Sequence, residues 1–296
     1  MTSDSLNITT QLAQELIQEQ FPKFARLTLQ PVARQGHDNR TFRLGEEMSI
    51  RLPTAESYAL KVPKEQELLP FLAPHLSLSI PSPLFMGKPS KYYPWPWSIY
   101  QWLPGKSANE FTAVEDNLLE SIAYDLAQFL RELHRIDPSH GPTPGLHNWW
   151  RGDHIRVYDA EARTYIAALS KVINSDQALD LWENAMATQW KKEPVWIHGD
   201  MAYGNILLQE GKLTGVIDFG GMGIGDPACD LVMAWTFFKG KSREIFKQSL
   251  SLDNNTWLRA KAWALWKAAF ELCQLDDTET QKAFLHKKII SDVLTA

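Results

Sequence analysis

Two short polar segments, separated by the length of one hairpin, constrain this chain more than any other feature. The first is His198-Gly199-Asp200-Met201-Ala202-Tyr203-Gly204-Asn205, with the spacing H-x-D-x-x-x-x-N, and the second is Asp218-Phe219-Gly220. In this order such segments are typical of a phosphoryl-transfer centre, where one carboxylate meets the attacking hydroxyl while an amide oxygen and a second carboxylate bind Mg²⁺. Either segment alone is common in ordinary turns, so the prediction depends on their combination.

Apolar runs beside these segments predict the strands that present them. Residues 195–197 and 206–208 are typical of short buried strands on either side of a polar loop, and 213–217 is typical of the return strand of a hairpin. That hairpin is expected to deliver Asp218 beside Asn205. Because Mg²⁺ is usually held by one or two protein oxygens together with phosphate and water, these two ligands suffice.

Composition limits the class of protein. A chain of 296 residues with 44% hydrophobic and 22% charged residues suits one bilobal globular domain or two packed ones. Thirty basic and 35 acidic side chains give a formal charge of −5, which argues against nucleic acid or a membrane as the main partner. Cys229 and Cys273 have neither metal-ligand nor disulfide spacing, and no targeting segment or membrane span is evident. We therefore expect a cytoplasmic protein, monomeric or homodimeric.

The order of predicted elements favours an α+β fold with a small antiparallel-sheet N-lobe and a larger, mainly helical C-lobe. The predicted N-lobe covers 1–103, with a hinge at about 100–106, and the C-lobe covers 104–296. The active site is expected in the cleft between the lobes. The pattern predicts strands at 27–33, 40–44, 48–52, 84–86 and 98–102 and helices at 9–20, 56–72, 117–134, 160–173, 177–190, 227–238 and 257–275.

On these motifs the chain resembles the aminoglycoside phosphotransferase family of small-molecule kinases, which share the protein-kinase-like fold. The resemblance extends over almost the whole chain and includes Gly225-Asp226-Pro227-Ala228-Cys229-Asp230-Leu231, similar to the family's G-D-P-x-x-D-L segment. Eukaryotic protein kinases usually have Arg where Gly199 stands, which favours a small-molecule kinase.

The resemblance implies roles for the motif residues. Asp200 is expected to be the catalytic base, and Asn205 and Asp218 the metal ligands. Asp226 and Asp230 are expected to be structural supports. His198 is expected to be a buried histidine bonded to nearby backbone rather than a chemical group.

The resemblance also implies a nucleotide site in the N-terminal part. Gly36 and Asn39 lie in the turn where the family covers the phosphates, and Arg51 takes the place of the strand lysine. Its partner is expected on the following helix, where Glu65 is favoured over Glu67. The base of the nucleotide is expected to be held by backbone groups of the hinge, at Gln101, Trp102 and Leu103. The side chains there do not distinguish ATP from GTP.

Candidate acceptor-binding residues are fewer and less specific. Trp149, Arg151 and Asp153 follow a loop rich in proline and glycine, and Glu271, Asp276 and Asp277 lie near the C-terminus. The alternatives are a capped helix start for the first group and exposed charge for the acids. The basic run at 239–247 is interpreted as a solvated surface.

Together these features predict a Mg²⁺-dependent kinase that uses ATP, with GTP not excluded, to phosphorylate a hydroxyl of a small molecule. The resemblance suggests an aminoglycoside-like or amino-sugar acceptor and leaves a role in antibiotic resistance open. The alternatives are a metabolic kinase for an amino alcohol, a sugar or a glycated amine, and a nucleotide-binding pseudokinase that serves as a scaffold.

Overall fold

The computed structural model describes residues 7–111, 114–276 and 279–295. The chain divides into two compact units, which are described separately below. The first comprises Met1–Gly105 with Gly215–Gly220, and the second comprises Lys106–Thr214 with Gly221–Ala296.

The first unit is built on a five-stranded antiparallel sheet with the order β1-β2-β3-β5-β4. Its core lies where the apolar positions of neighbouring strands face one another: Phe42 pairs with Ile50, and Ile50 with Ile99. A first helix packs its buried Leu16 and Ile17 into this same core. The strands are β1 (Leu29–Pro31), β2 (Asn39–Leu44), β3 (Met48–Pro53), β4 (Pro83–Gly87) and β5 (Trp97–Gln101).

The helices of this unit are α1 (Thr10–Gln20), α2 (Glu56–Ala59) and α3 (Lys61–Leu72). The sequence offers Thr9 or Thr10 as the N-cap of α1, and the structure shows Thr9, whose hydroxyl accepts the Leu12 N–H at 3.1 Å. The helical pattern predicted at 56–72 requires Pro63 to lie at a start, a kink or an end, and the chain forms two helices there. Pro63 lacks the N–H that a continuous helix would donate to the Ala59 carbonyl, and the helical ladder is interrupted there.

The second unit is mainly helical. The helical periodicity of 117–134 predicts an apolar face that includes Ile122, Leu126 and Leu133, and helix α4 buries these residues. The helices are α4 (Asp116–Leu133), α5 (Asp159–Ala168), α6 (Ser175–Met186), α7 (Met233–Thr236), α8 (Gly240–Leu250), α9 (Asn254–Gln274) and α10 (Thr280–Thr295). None of the described helices is both long and apolar enough to cross a bilayer.

Two predictions in this unit need correction. The run at 239–247 is not simply a solvated surface, because it forms most of α8, which buries Phe246 and Leu250. The predicted helix at 227–238 is a 3₁₀ helix over Pro227–Val232 followed by the short α7. Asp226 caps its first turn through a bond from the Ala228 N–H.

Short strands carry the two polar motifs. β7 (Val195–Ile197) pairs antiparallel with β10 (Gly223–Gly225), and β8 (Ile206–Gln209) lies between β6 (Lys106–Ser107) and β9 (Lys212–Val216). Glu210 and Gly211, at φ 51° and 71°, form the two-residue turn from β8 to β9, where paired positive φ angles suit the twist of a hairpin. The sheet-based first unit and the helical second unit confirm the predicted α+β, protein-kinase-like class.

Candidate active site

The loop that carries Asp200 is anchored by one buried carboxylate. Asp230 accepts the backbone N–H of His198 at 2.6 Å and that of Gly199 at 2.8 Å. Asp230 is fully buried, and burial raises its pKa despite the charge and hydrogen bonds that favour its anion. The contacts give Asp230 the supporting position that the resemblance implied.

The loop needs glycine at position 199. Gly199 has φ +81°, and a Cβ atom built there would lie 2.1 Å from the Gly221 carbonyl oxygen. Both the left-handed backbone and this close approach exclude a side chain. His198 is buried, and its Nδ1 accepts the Asp200 N–H at 3.2 Å, which matches the predicted backbone-bonded histidine.

Asp200 forms an ion pair that the sequence reading missed. Lys267 Nζ, on α9, lies 2.8 Å from Asp200 Oδ1. Burial by itself raises the pKa of Asp200, but the charge and hydrogen bond of Lys267 outweigh it and lower this pKa to about 2. The carboxylate is therefore ionised throughout the working pH range. The available signal was a lysine interrupting the apolar stretch from Trp263 to Phe270.

Asn205 is oriented by the same loop. Its Nδ2 donates to the Asp200 carbonyl at 2.9 Å, so its Oδ1 remains as an acceptor. Ser107 Oγ donates to the adjacent Gly204 carbonyl at 2.7 Å, which ties this turn to the strand β6.

A buried ion pair supports the neighbouring loop that ends at Asp153. Arg259 Nε lies 2.5 Å from Asp226 Oδ2, and both side chains are almost inaccessible to solvent. The Asp226 N–H donates to the Gly152 carbonyl at 2.8 Å, so Asp226 links α9 to the loop that precedes Asp153. Removing one partner of such a pair leaves a buried charge unpaired.

In the first unit, Arg51 lies between two carboxylates. Its Nη2 is 2.9 Å from Asp218 Oδ1 and its Nη1 is 3.6 Å from Glu65 Oε2, the partner that the sequence favoured. Tyr100 donates its hydroxyl to Glu65. Burial lowers the pKa of Arg51, but the two carboxylates raise it further, so the guanidinium is a permanent cation.

Asp218 has features that suit a metal ligand. It adopts φ +67°, an uncommon conformation for a residue with a side chain, and its side chain is 39% exposed. Arg51 bonds Oδ1, and no hydrogen bond within 7–111, 114–276 and 279–295 occupies Oδ2. An amide oxygen at Asn205 and a carboxylate oxygen at Asp218 are donors that fit Mg²⁺. Asn205 belongs to the second unit and Asp218 to the first, so their joint action on one ion stays a prediction.

Within the part of the chain that the structure describes, no three His, Cys, Asp or Glu residues form a metal-binding group.

The turn with Gly36 and Asn39 is closed by a side chain. Gln35 accepts the Thr41 N–H at 2.8 Å and donates to the Thr41 carbonyl at 2.9 Å. A Cβ atom at Gly36 would meet nothing closer than the Asn39 carbonyl at 3.9 Å, so the space beside this backbone is open. Asp38, between the two candidates, pairs with Lys61 at 2.5 Å.

Two of the backbone N–H groups of the predicted hinge are already hydrogen-bonded. The Gln101 N–H donates to Ser82 at 2.9 Å and the Trp102 N–H to Glu47 at 2.7 Å, so neither N–H is available to a nucleotide base. Among the described residues, no hydrogen bond occupies the Leu103 N–H. The Leu103 N–H is therefore a candidate contact for the nucleotide base, and binding through backbone groups of the hinge stays a prediction.

Gln101 and Trp102 line a cavity of about 850 Å³ within the first unit. Arg43 lies over the Trp102 ring, 4.7 Å from its centroid.

The predicted acceptor residues separate into two groups. Arg151 lines a narrow cavity with Asp200 and Lys267, whereas Asp153 and Glu271 do not line it. Asp153 Oδ1 accepts the neighbouring His154 N–H at 2.6 Å, a local bond that fits the alternative of a capped start. Trp149 has φ +51°, and its carbonyl accepts the Tyr158 hydroxyl.

Two of the three acidic residues predicted near the C-terminus lie within the described residues. Glu271 lies on α9, one helical turn beyond Lys267, and Asp276 follows the end of that helix. Asp277 lies outside the described residues.

The comparisons with known proteins fit this arrangement of motifs. The model of the phosphotransferase enzyme family matches residues 28–263. The chain therefore belongs to this family, and the resemblance to aminoglycoside phosphotransferases is confirmed.

Individual relatives are more distant. An aminoglycoside 3'-phosphotransferase of Salmonella typhimurium is 28% identical over 172 residues, which are 53% of this chain and 59% of that protein. One of Escherichia coli is 27% identical over 190 residues, 61% of this chain and 65% of that protein. The chain thus spans less than two thirds of the length of these curated relatives.

Solved structures extend the likeness in fold over nearly the whole chain. The GDP complex of wild-type aminoglycoside 2'-phosphotransferase-IIIa has a TM-score of 0.71 at 17% identity and covers 97% of this chain and 99% of its own. A macrolide 2'-phosphotransferase of Brachybacterium faecium has a TM-score of 0.61 at 19% identity, with coverage of 95% and 97%. At these identities the likeness shows the fold alone.

Proposed function

We propose that the protein is a phosphotransferase that moves the terminal phosphoryl group of a nucleoside triphosphate, with Mg²⁺, onto a hydroxyl of a small molecule. The observation that carries the proposal is Asp200, an ionised carboxylate on a loop anchored by Asp230. Family membership and the relatives' names support the same reaction class.

The second unit supplies the group that activates the acceptor. Asp200 orients the hydroxyl and accepts its proton late, since phosphoryl transfer has a loose transition state in which alignment matters more than the strength of the base. A pKa of about 2 does not conflict with this role, because the carboxylate is in its proton-accepting form at neutral pH.

The first unit supplies the charges for the nucleotide. Arg51, held by Glu65 and Asp218, presents a forked cation to phosphate oxygens. Asn205 Oδ1 and Asp218 Oδ2 are the oxygens proposed to hold Mg²⁺, which would neutralise phosphate charge when bound. The nucleotide is proposed to be ATP. GTP is the alternative, because a contact of the nucleotide base with the Leu103 backbone does not distinguish the two nucleotides.

Two classes of acceptor are considered, an aminoglycoside or amino sugar and the substrate of a metabolic kinase. The names of the relatives support an aminoglycoside or amino-sugar acceptor. Of the metabolic acceptors, an uncharged sugar is favoured over the amines by a specific observation, the cations Lys267 and Arg151 beside Asp200, which repel a cationic acceptor.

The reaction is tested by ADP release from purified protein with Mg-ATP and a library of hydroxyl compounds that includes aminoglycosides, sugars and hydroxy acids. We expect at least one acceptor to stimulate release, and Asp200→Asn to lower that rate by about 100-fold or more. Exposed Asp116→Asn is the matched control and should retain the rate. Nucleotide binding without acceptor-dependent release would favour the scaffold alternative instead.

A further inference from the structure

The cavity beside Asp200 is lined by more cationic than anionic side chains. It has two cationic side chains, Arg151 and Lys267, and one carboxylate, that of Asp200 itself. Its remaining surface includes the apolar side chains Trp263 and Trp266. An acceptor hydroxyl must reach Asp200 beside these two cations.

Arg151 is held in place by aromatic rings rather than by an acid. Its guanidinium lies 4.9 Å from the ring centre of Trp263, 5.0 Å from that of Trp266 and 5.3 Å from that of Tyr158. Its Nη1 donates to the Tyr158 hydroxyl at 3.0 Å. Among the described residues, no carboxylate forms an ion pair with Arg151. The aromatic rings fix the orientation of this planar fork, and Asp200 is the carboxylate that lines the same cavity.

Lys267 pairs with Asp200, which the proposed reaction needs as the acceptor of the hydroxyl proton. Its Nζ bonds Asp200 Oδ1, and both side chains are partly exposed, at 30% and 45%. Glu271, one turn further along α9, is outside the cavity lining. An acid group on the acceptor can take over the Lys267 ammonium, which frees Asp200 for the hydroxyl.

Building on the proposed function, we propose that the acceptor is an anionic hydroxyl compound whose carboxylate or phosphate group is bound by Arg151 and Lys267. Arg151 supplies the forked donor and Lys267 the mobile one. The acceptor oxygen forms a bond to the terminal phosphorus, the bond to the bridging oxygen of the nucleoside diphosphate breaks, and the hydroxyl proton passes to Asp200. A polycation such as an aminoglycoside meets two repelling charges at this point.

The test compares acceptors that differ only in charge. Gluconate and glucose 6-phosphate are set against glucose, and kanamycin serves as the polycation, each with Mg-ATP and the full-length protein. ADP release gives kcat and KM. Calorimetric titration of each compound, with a non-hydrolysable Mg-nucleotide present, gives binding where turnover is slow. We expect gluconate, glucose 6-phosphate or both to exceed glucose by about tenfold or more in kcat/KM or affinity, and kanamycin to be the poorest. The two anions distinguish a carboxylate from a phosphate ligand.

Substitutions then assign the effect to the two cations. Lys267→Met and Arg151→Lys should raise KM for the preferred anion about tenfold or more while changing the value for glucose little. Lys288→Met removes an exposed lysine paired with Asp292 and should leave the acceptor preference as it is. Thermal unfolding of each variant identifies any loss of folding separately.

Three results would overturn the inference. One is preference for glucose or kanamycin, which leaves the proposed phosphotransferase intact. Another is an equal fall in kcat for every acceptor in Lys267→Met, since that places Lys267 on the transferred phosphate. The third is failure of both anions to bind at millimolar concentration. The proposed function itself fails only if no compound, including kanamycin, supports ADP release that depends on Asp200.

Discussion

At the scale of single residues, Asp230 anchors the loop that carries the proposed catalytic base, Asp200. The two carboxylate oxygens of Asp230 accept two adjacent backbone N–H groups, which fixes the direction in which the chain enters the loop. The sequence alone gave Asp230 a supporting role through resemblance. Only the structure identifies the two N–H groups that it binds, because they lie about thirty residues away along the chain.

Asp230→Asn tests this anchoring. The new amide nitrogen faces a backbone N–H, so one buried donor loses its acceptor, and we expect a loss of about 1–3 kcal/mol in unfolding free energy together with lower kcat. Urea unfolding monitored by circular dichroism measures the first effect. Asp116→Asn, at an exposed ion pair, is the control and should shift the midpoint little. Equal stability of Asp230→Asn and the native chain would remove the anchoring role.

At the scale of elements, the loop after β7 depends on backbone conformation as much as on side chains. Gly199, in this loop, has a positive φ of 81°. Gly211, in the turn from β8 to β9, has a similar φ of 71° and serves as a comparison. A Cβ atom at Gly199 would collide with Gly221, whereas one at Gly211 would meet nothing within 4 Å. The two positions therefore separate backbone strain from steric collision.

Gly199→Ala should cost about 3 kcal/mol in unfolding free energy, since it combines left-handed strain with a collision against backbone. Gly211→Ala should cost about 1 kcal/mol, the strain alone. Both are measured by denaturant unfolding under identical conditions. If the two variants lost the same stability, the close approach of Gly199 to Gly221 would not be a determinant of the fold.

The elements that the sequence predicted well are those with a strong local signal. The hairpin from β8 to β9, the Thr9 cap and the stripe of α4 follow from turn residues and periodicity. Helix α8 was missed because its lysines dominate a run whose apolar residues, Phe246 and Leu250, are few. The Lys267 contact depends on how α9 packs, which local sequence does not encode.

At the scale of the whole molecule, stability should depend on pH through His134. Its Nε2 is buried without a hydrogen-bond partner among the described residues, and burial lowers its pKa to about 4. The unfolded chain binds this proton below about pH 6.5, whereas the folded chain resists it until about pH 4. The stability that comes from keeping His134 neutral is thus fully present above the unfolded pKa, and this contribution is lost as the pH falls from 6.5 toward 4.

His134→Phe should remove this acid sensitivity. Between pH 7 and pH 4.5 the native chain is expected to lose about 2 kcal/mol more than the variant, because the variant has no ring to protonate. Unfolding free energies at both pH values measure the difference, and a value at pH 8 corrects for altered packing. An identical acid loss in the two proteins would refute the assignment to His134.

Nucleotide binding should also stabilise the whole molecule through the metal. Asp218→Ala removes an anionic oxygen proposed for Mg²⁺, so the extra rise in melting temperature that Mg²⁺ gives in the presence of ATP should disappear. The rise with ATP alone is the internal control. An unchanged Mg²⁺-dependent rise would contradict the metal assignment.

The central claim, transfer of phosphate to an alcohol with Asp200 as base, is tested most directly by following the label of ATP radiolabelled at its terminal phosphate. After incubation of the native chain with Mg²⁺ and an acceptor identified by ADP release, we expect the label in an acid-stable phosphate ester of that acceptor, and almost none with Asp200→Asn. Equal labelling by the two proteins, or label found only as inorganic phosphate, would contradict the account.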